Sequence, residues 1–219
     1  MSDIHFFEKL TVGKQLSTNE IILCYAAASG CINEMKELEG AVKVGLSQNI
    51  VSEQEFYESL LQIYLFAGFP AAIESLAVYN EVSKNKLTPV ITEKYDVERF
   101  RERGEELCRN IYTTVYDKMR NRLGSISPEL DEWMIIEGYG KTLSRQGLPP
   151  KKRELITAAS LIALGWENQL YSHIRGAIAV GASRVECIEL LEVVKSLCTD
   201  ERIEKSKIVV ENALNKQYE

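Results

Sequence analysis

The sequence predicts an all-α protein, and three observations carry that expectation. Apolar residues recur at helical spacing along most of the 219 residues, while period-two alternation is almost missing. Start signals precede several of these patterns: Ser52-Glu-Gln-Glu55 and Ser183-Arg-Val-Glu186 both have capping-box spacing. Glycines then fall where the apolar patterns stop.

Taken in order, the first helix is expected over 19–29, with Thr18 or Ser17 as its cap and Gly30-Cys31 interrupting it. A second covers 32–44, with Gly45 as its terminating glycine. The Ser52 box opens a third, with Phe56, Leu60, Ile63 and Tyr64 on one face, and Gly68 stops it. Pro70 in a first turn starts a fourth through Ala72, Leu76 and Tyr79. The polar stretch 83–97, with Pro89, reads as a linker. A charged helix follows over 97–122, broken by Gly124-Ser-Ile-Ser-Pro128, and a further helix spans 129–143.

The pattern then recurs. A helix over 151–164 breaks at Gly165, and the next runs over 168–180 to Gly181. The Ser183 box precedes Ile188, Leu191, Val194 and Leu197. Residues 37–45 (Glu-Leu-Glu-Gly-Ala-Val-Lys-Val-Gly) lie over 173–181 (His-Ile-Arg-Gly-Ala-Ile-Ala-Val-Gly), and Glu20-Ile-Ile lies over Glu154-Leu-Ile. This reads as an internal duplication, with a first helical unit at 1–82, a linker and connecting helix at 83–128, and a second unit at 129–219.

Composition narrows the function classes. An apolar fraction of 45% suffices for a buried core, and no apolar run approaches the roughly 20 residues needed to span a bilayer. Net charge is −6 and the basic residues are scattered apart from Lys151-Lys152-Arg153, so neither a nucleic-acid nor a membrane footprint is expected. No export signal is visible. Five cysteines without tight spacing fit a reducing cytoplasm better than a disulfide scaffold. Cys24 and Cys31 share a helix face and read as small buried residues, and Trp133 and Trp166 as core or interface residues.

Three stretches carry a resemblance: 140–149 (Gly-Lys-Thr-Leu-Ser-Arg-Gln-Gly-Leu-Pro) with 153–159, 163–181 around His173, and 64–72 (Tyr-Leu-Phe-Ala-Gly-Phe-Pro-Ala-Ala). Together they resemble the core of γ-carboxymuconolactone decarboxylases and the related alkyl hydroperoxidase D proteins, over roughly 17–82 and 129–214. The resemblance implies an oligomerising helical bundle, here a trimer of two-unit chains that mimics a hexamer of single units. It also implies a cofactor-independent reaction on a small carboxylated, lactone-like substrate, with no metal. His173 would transfer the proton and Glu154 would orient it; Arg145, Arg153 and Arg175 would receive carboxylate.

Departures from the pattern matter. The peroxidase branch has cysteines where this chain has Trp166 and Gln169, and the first unit has Gly30 and Asn33 there. A thiol peroxidase would have to use Cys31 or Cys198. The histidine counterpart in the first unit is Glu37, whereas the second unit has Lys195-Ser-Leu-Cys-Thr in place of the 64–72 segment. Each unit therefore lacks what the other keeps. One complete site would combine Tyr64, Phe66 and Phe69 with Glu154 and His173. The alternatives are an antioxidant peroxidase and a non-catalytic oligomeric binding protein, with His173 as an ordinary core residue.

Overall fold

A computed structural model describes residues 3–83 and 93–215. Its helices are α1 (Asp3–Thr11), α2 (Thr18–Cys31), α3 (Met35–Ser47), α4 (Glu53–Gln62), α5 (Tyr64–Val82), α6 (Val97–Tyr112), α7 (Tyr116–Ile126), α8 (Pro128–Trp133), α9 (Pro150–Leu164), α10 (Glu167–Ala179), α11 (Arg184–Val193) and α12 (Asp200–Asn215). Short 3-10 turns lie at Thr113–Val115 and Lys195–Leu197, and a π-helical segment runs from Met134 to Leu143. No strand occurs among the described residues, so the fold is all-α. None of these helices is long and apolar enough to cross a membrane.

The chain divides into two compact units, 1–89 with 147–219 and 90–146. These boundaries differ from the expected 82/83 and 128/129. The helical segment 129–143 belongs with the charged helix α6, because the two approach backbone to backbone. The centre of the expected linker, with Pro89, lies outside the described residues.

In the first unit, α2 and α9 pack directly on each other and form the centre. Both are buried almost all round, α2 from Glu20 to Cys31 and α9 from Arg153 to Ala163. Such all-round burial follows from sequences without a polar face, and alanines at 26–28 and 158–159 leave little bulk between the axes. Amphipathic α3 covers α2, α10 covers α9, α12 lies on α10, and α5 lies on α3 and α4. Each large apolar side chain buried in this way contributes about 1.5–3 kcal/mol.

The glycines correct two expected boundaries. Gly30 does not interrupt α2 but lies within it, where an added Cβ would sit 2.4 Å from Ser75 Oγ. Gly45 does not end α3 either; a Cβ there would come 2.6 Å from the Phe56 ring. Close packing uses these glycines. The stops fall instead near Asn33 and Asn49, at φ of 64° and 53°, a conformation asparagine tolerates. Gly68, at φ 82°, kinks the chain inside α5, and Gly165 ends α9 in the left-handed conformation as expected. Ser17, Ser52 and Ser183 all form complete capping boxes. Trp133 and Trp166 lie in neither core, since they are 57% and 56% exposed.

In the second unit α6 packs on the π-helical segment. A Cβ on Gly140 would lie 1.9 Å from the Phe100 carbonyl oxygen, and one on Gly104 2.2 Å from that of Ile135. Arg103 Nε and Ser144 Oγ both donate to the Gly140 carbonyl, each at 2.5 Å. Gly140→Ala is therefore expected to lose about 1–3 kcal/mol of stability by forcing the backbones apart. Gly138→Ala, with open space around its Cβ, is expected to be neutral or to gain about 0.5–1 kcal/mol. Urea unfolding of the two variants side by side checks this.

Candidate functional site

Glu154 stands just past the first turn of α9 and His173 midway along α10, and the packing of these helices brings the side chains together. Glu154 Oε2 lies 2.8 Å from His173 Nδ1, and the two residues are 2% and 8% exposed. An ionised carboxylate only accepts, so Nδ1–H donates and the tautomer is set. The Phe66 ring stands perpendicular to the imidazole with 5.6 Å between ring centres. Phe66 comes from the turn between α4 and the Gly68 kink, so residues of both predicted repeats meet at the histidine. Tyr64 stacks on Phe69, 5.3 Å between centres, and Phe69 is 66% exposed.

The expected carboxylate-binding arginines fare differently. Arg153 is 1% exposed and binds an internal carboxylate: Nη2 donates to Glu58 Oε2 at 2.9 Å and Nη1 to Gln62 Oε1 at 3.0 Å. Gln62 Nε2 donates back to the Arg153 carbonyl at 3.2 Å. Arg145 belongs to the second unit, 3.9 Å from Glu93. Arg175 lies two residues beyond His173 and donates to the Ala213 carbonyl at 3.4 Å.

Lys151 and Lys152, given no role in the sequence, organise this end of the unit together with Arg153. Lys151 reaches Glu186 at 2.5 Å and Glu20 at 3.3 Å, and Lys152 reaches Glu55 at 2.6 Å and Asn19 Oδ1 at 2.7 Å. Glu20, Glu55 and Glu186 are the glutamates of the three capping boxes. The starts of α2, α4 and α11 thus converge on the first turn of α9. Burial pushes the Glu20 and Glu55 carboxyls up, but hydrogen bonds outweigh it: Ser17 with Lys151 for the former, Lys152 with Ser52 for the latter. Both pKa values end below the ordinary carboxylate value. Burial alone would lower Lys151, yet Glu186 and Glu20 raise it. A sequence signal existed for Arg153's partners, since Glu58 and Gln62 are four apart beside the Phe56–Leu60 apolar face.

The thiols run against peroxidase chemistry. Burial pushes Cys31 up to about 12, opposed in part by Ser160, and raises Cys198 against the pull of Arg202. A reactive thiolate needs the opposite shift.

An all-helical unit thus holds a buried carboxylate–imidazole pair, Glu154 with His173. Residues 128–212 match the Carboxymuconolactone decarboxylase family. The match takes in the second stretch of sequence resemblance, whereas the first, 17–82, lies outside it. Over 96 residues the chain is 27% identical to the 4-carboxymuconolactone decarboxylase of Acinetobacter baylyi, covering 44% of this chain and 72% of that protein.

Two outcomes test the electrostatics. Arg153→Met strands a buried Glu58 carboxylate and is expected to cost about 3–5 kcal/mol, with Arg153→Met/Glu58→Leu recovering much of the loss; denaturant midpoints measure both. Glu20 and Glu55 have lowered pKa values in the fold, so their contribution is present above about 4.3 and lost as pH falls through the folded values. Lys151 has a raised one, so its contribution is present below about 10.4 and lost at higher pH. Tm is expected to fall as pH drops below about 4.3, less steeply in Glu55→Gln.

Proposed function

We propose that this chain is a cofactor-independent lyase or isomerase that moves a proton on a small carboxylated, lactone-like substrate through His173 and Glu154. The observation carrying the reading is the 2.8 Å contact between these two buried groups, held on separate helices beneath Phe66. The carboxylate orients the ring, and an imidazole held in this way suits proton transfer near neutral pH. The match of 128–212 to the family supports this chemistry at the level of the family, and the relative's name suggests 4-carboxymuconolactone as the first substrate to try.

In such a decarboxylation the bond between the substrate carbon and its carboxylate breaks, and the electron pair passes into the conjugated lactone carbonyl. Carbon dioxide leaves, protonated His173 delivers its proton to the carbon, and water restores the imidazolium. No oxidant or reductant enters the balance. Arg175 is the arginine of the three that shares a helix with His173, and it is our candidate for holding a substrate carboxylate. We further read the 17–82 and second-repeat segments as a duplication, and the assembly as a trimer in which exposed Phe69, Ile73 and Trp166 are covered.

A second reading, a non-catalytic oligomeric binding protein, is favoured by one observation: Arg153 is already occupied by Glu58. The experiment is carbon dioxide release from 4-carboxymuconolactone by the full chain, with His173→Gln and Glu154→Gln, and light scattering for oligomer mass. His173→Gln is expected to lose about 10²–10⁴-fold in kcat, and Glu154→Gln to lower kcat and move its pH profile. Turnover absent in the parent chain, or unchanged in His173→Gln with the oligomer intact, would transfer the argument to the binding reading.

A further inference from the structure

A second polar pair lies in the first unit, on the helices that mirror α9 and α10. Tyr25 of α2 is 2% exposed, yet its hydroxyl donates to Glu37 Oε2 of α3 at 2.7 Å and lies 3.3 Å from Ser196 Oγ. The pair bridges α2 and α3 as Glu154 and His173 bridge α9 and α10. The turn after α11 brings Ser196 to this pair, just as the turn after α4 lays Phe66 on His173. Glu37 occupies the place of His173 in the correspondence of 37–45 with 173–181. The place corresponds to that of His173, but the carboxylate there is held by Tyr25 and not by Glu20, the counterpart of Glu154.

A cleft of roughly 410 Å³ opens on this pair, lined by Phe6, Tyr25, Glu34, Glu37, Ser196 and Leu197. That volume lies at the lower end of small-molecule sites. None of the six lining residues is cationic. The polar groups are two carboxylates and two hydroxyls; Phe6, packed on Tyr25 at 5.3 Å, and Leu197 supply apolar wall. An anion would meet two carboxylates and no compensating charge. A bare metal ion is a poor occupant too, because no group of three potential ligands occurs among the described residues. An organic cation satisfies both halves of the lining, with its charge on the carboxylates and its carbon groups on the aromatic face.

We propose that this cleft binds a small organic ammonium ion, with the nitrogen between Glu34 and Glu37 and the alkyl part on Phe6 and Leu197. The proposal does not depend on turnover at His173.

Titration calorimetry on the full chain with butylammonium chloride tests it, with sodium butyrate as the anionic control and amide NMR shifts to locate binding. Butylammonium is expected to bind saturably, shifting Glu37, Ser196 and Leu197, and butyrate to give no binding there. Glu34→Gln and Glu37→Gln are each expected to weaken binding by about fivefold. Both side chains are exposed, so circular dichroism should report unchanged folding. His173→Gln should bind as the parent does. The proposal is overturned if butylammonium gives no saturable binding. It is also overturned if the double glutamine variant binds it as tightly as the parent, or if the shifts cluster away from these residues.

Discussion

The first unit depends on an electrostatic convergence at the start of α9. Lys151, Lys152 and Arg153 occupy a first turn, where the helix dipole disfavours positive charge. Carboxylates brought from other helices offset that cost: Glu20 from α2, Glu55 and Glu58 from α4, and Glu186 from α11. Three of these glutamates also cap their own helices. One set of charges thereby fixes where four helices begin and how their ends meet. Arg153 and Glu58 are the most demanding members, because neither is reachable by water and each would be stranded without the other.

That convergence sets the candidate site. Glu154 follows Arg153 directly, so clamping the first turn of α9 also fixes the direction of the Glu154 side chain. Buried at 2% exposure, it is compensated by His173. Phe66 reaches the same imidazole from the start of α5, which follows directly on α4, the helix that Arg153 and Lys152 hold in place. Arg153, one of three arginines expected to receive substrate, is thus held by Glu58, and the Glu154–His173 pair stands on the result. The shielded thiols fit the same picture, since burial among the central helices suppresses the ionisation that redox chemistry would need.

Much of this was legible in the chain. Helical spacing identified the all-α class, and the Ser52 and Ser183 boxes marked two helix starts, because capping depends on residues only three apart. The spacing of Glu154 and His173 was read correctly as one helix-to-helix step, and Phe66 was named as a contributor from the other repeat. Gly30 and Gly45 were misread as stops. A glycine that admits a neighbouring side chain has the same local signature as one that ends a helix, and the neighbours, Ser75 and Phe56, are distant in sequence. Trp133 and Trp166 were expected in a core or an interface, and their exposure in the chain removes the core.

By itself the sequence determined what local chemistry and periodicity control: helix class, the capping boxes and the stop at Gly165. Only the tertiary structure decided which charges would pair. Arg153 had a plausible substrate role until α4 supplied Glu58, and Lys151-Lys152 had no role until three caps arrived at their ammonium groups. Coulombic pairing and desolvation depend on distance in space and on exclusion of water, and both are set by packing between segments far apart in sequence, 131 residues in the case of Lys151 and Glu20.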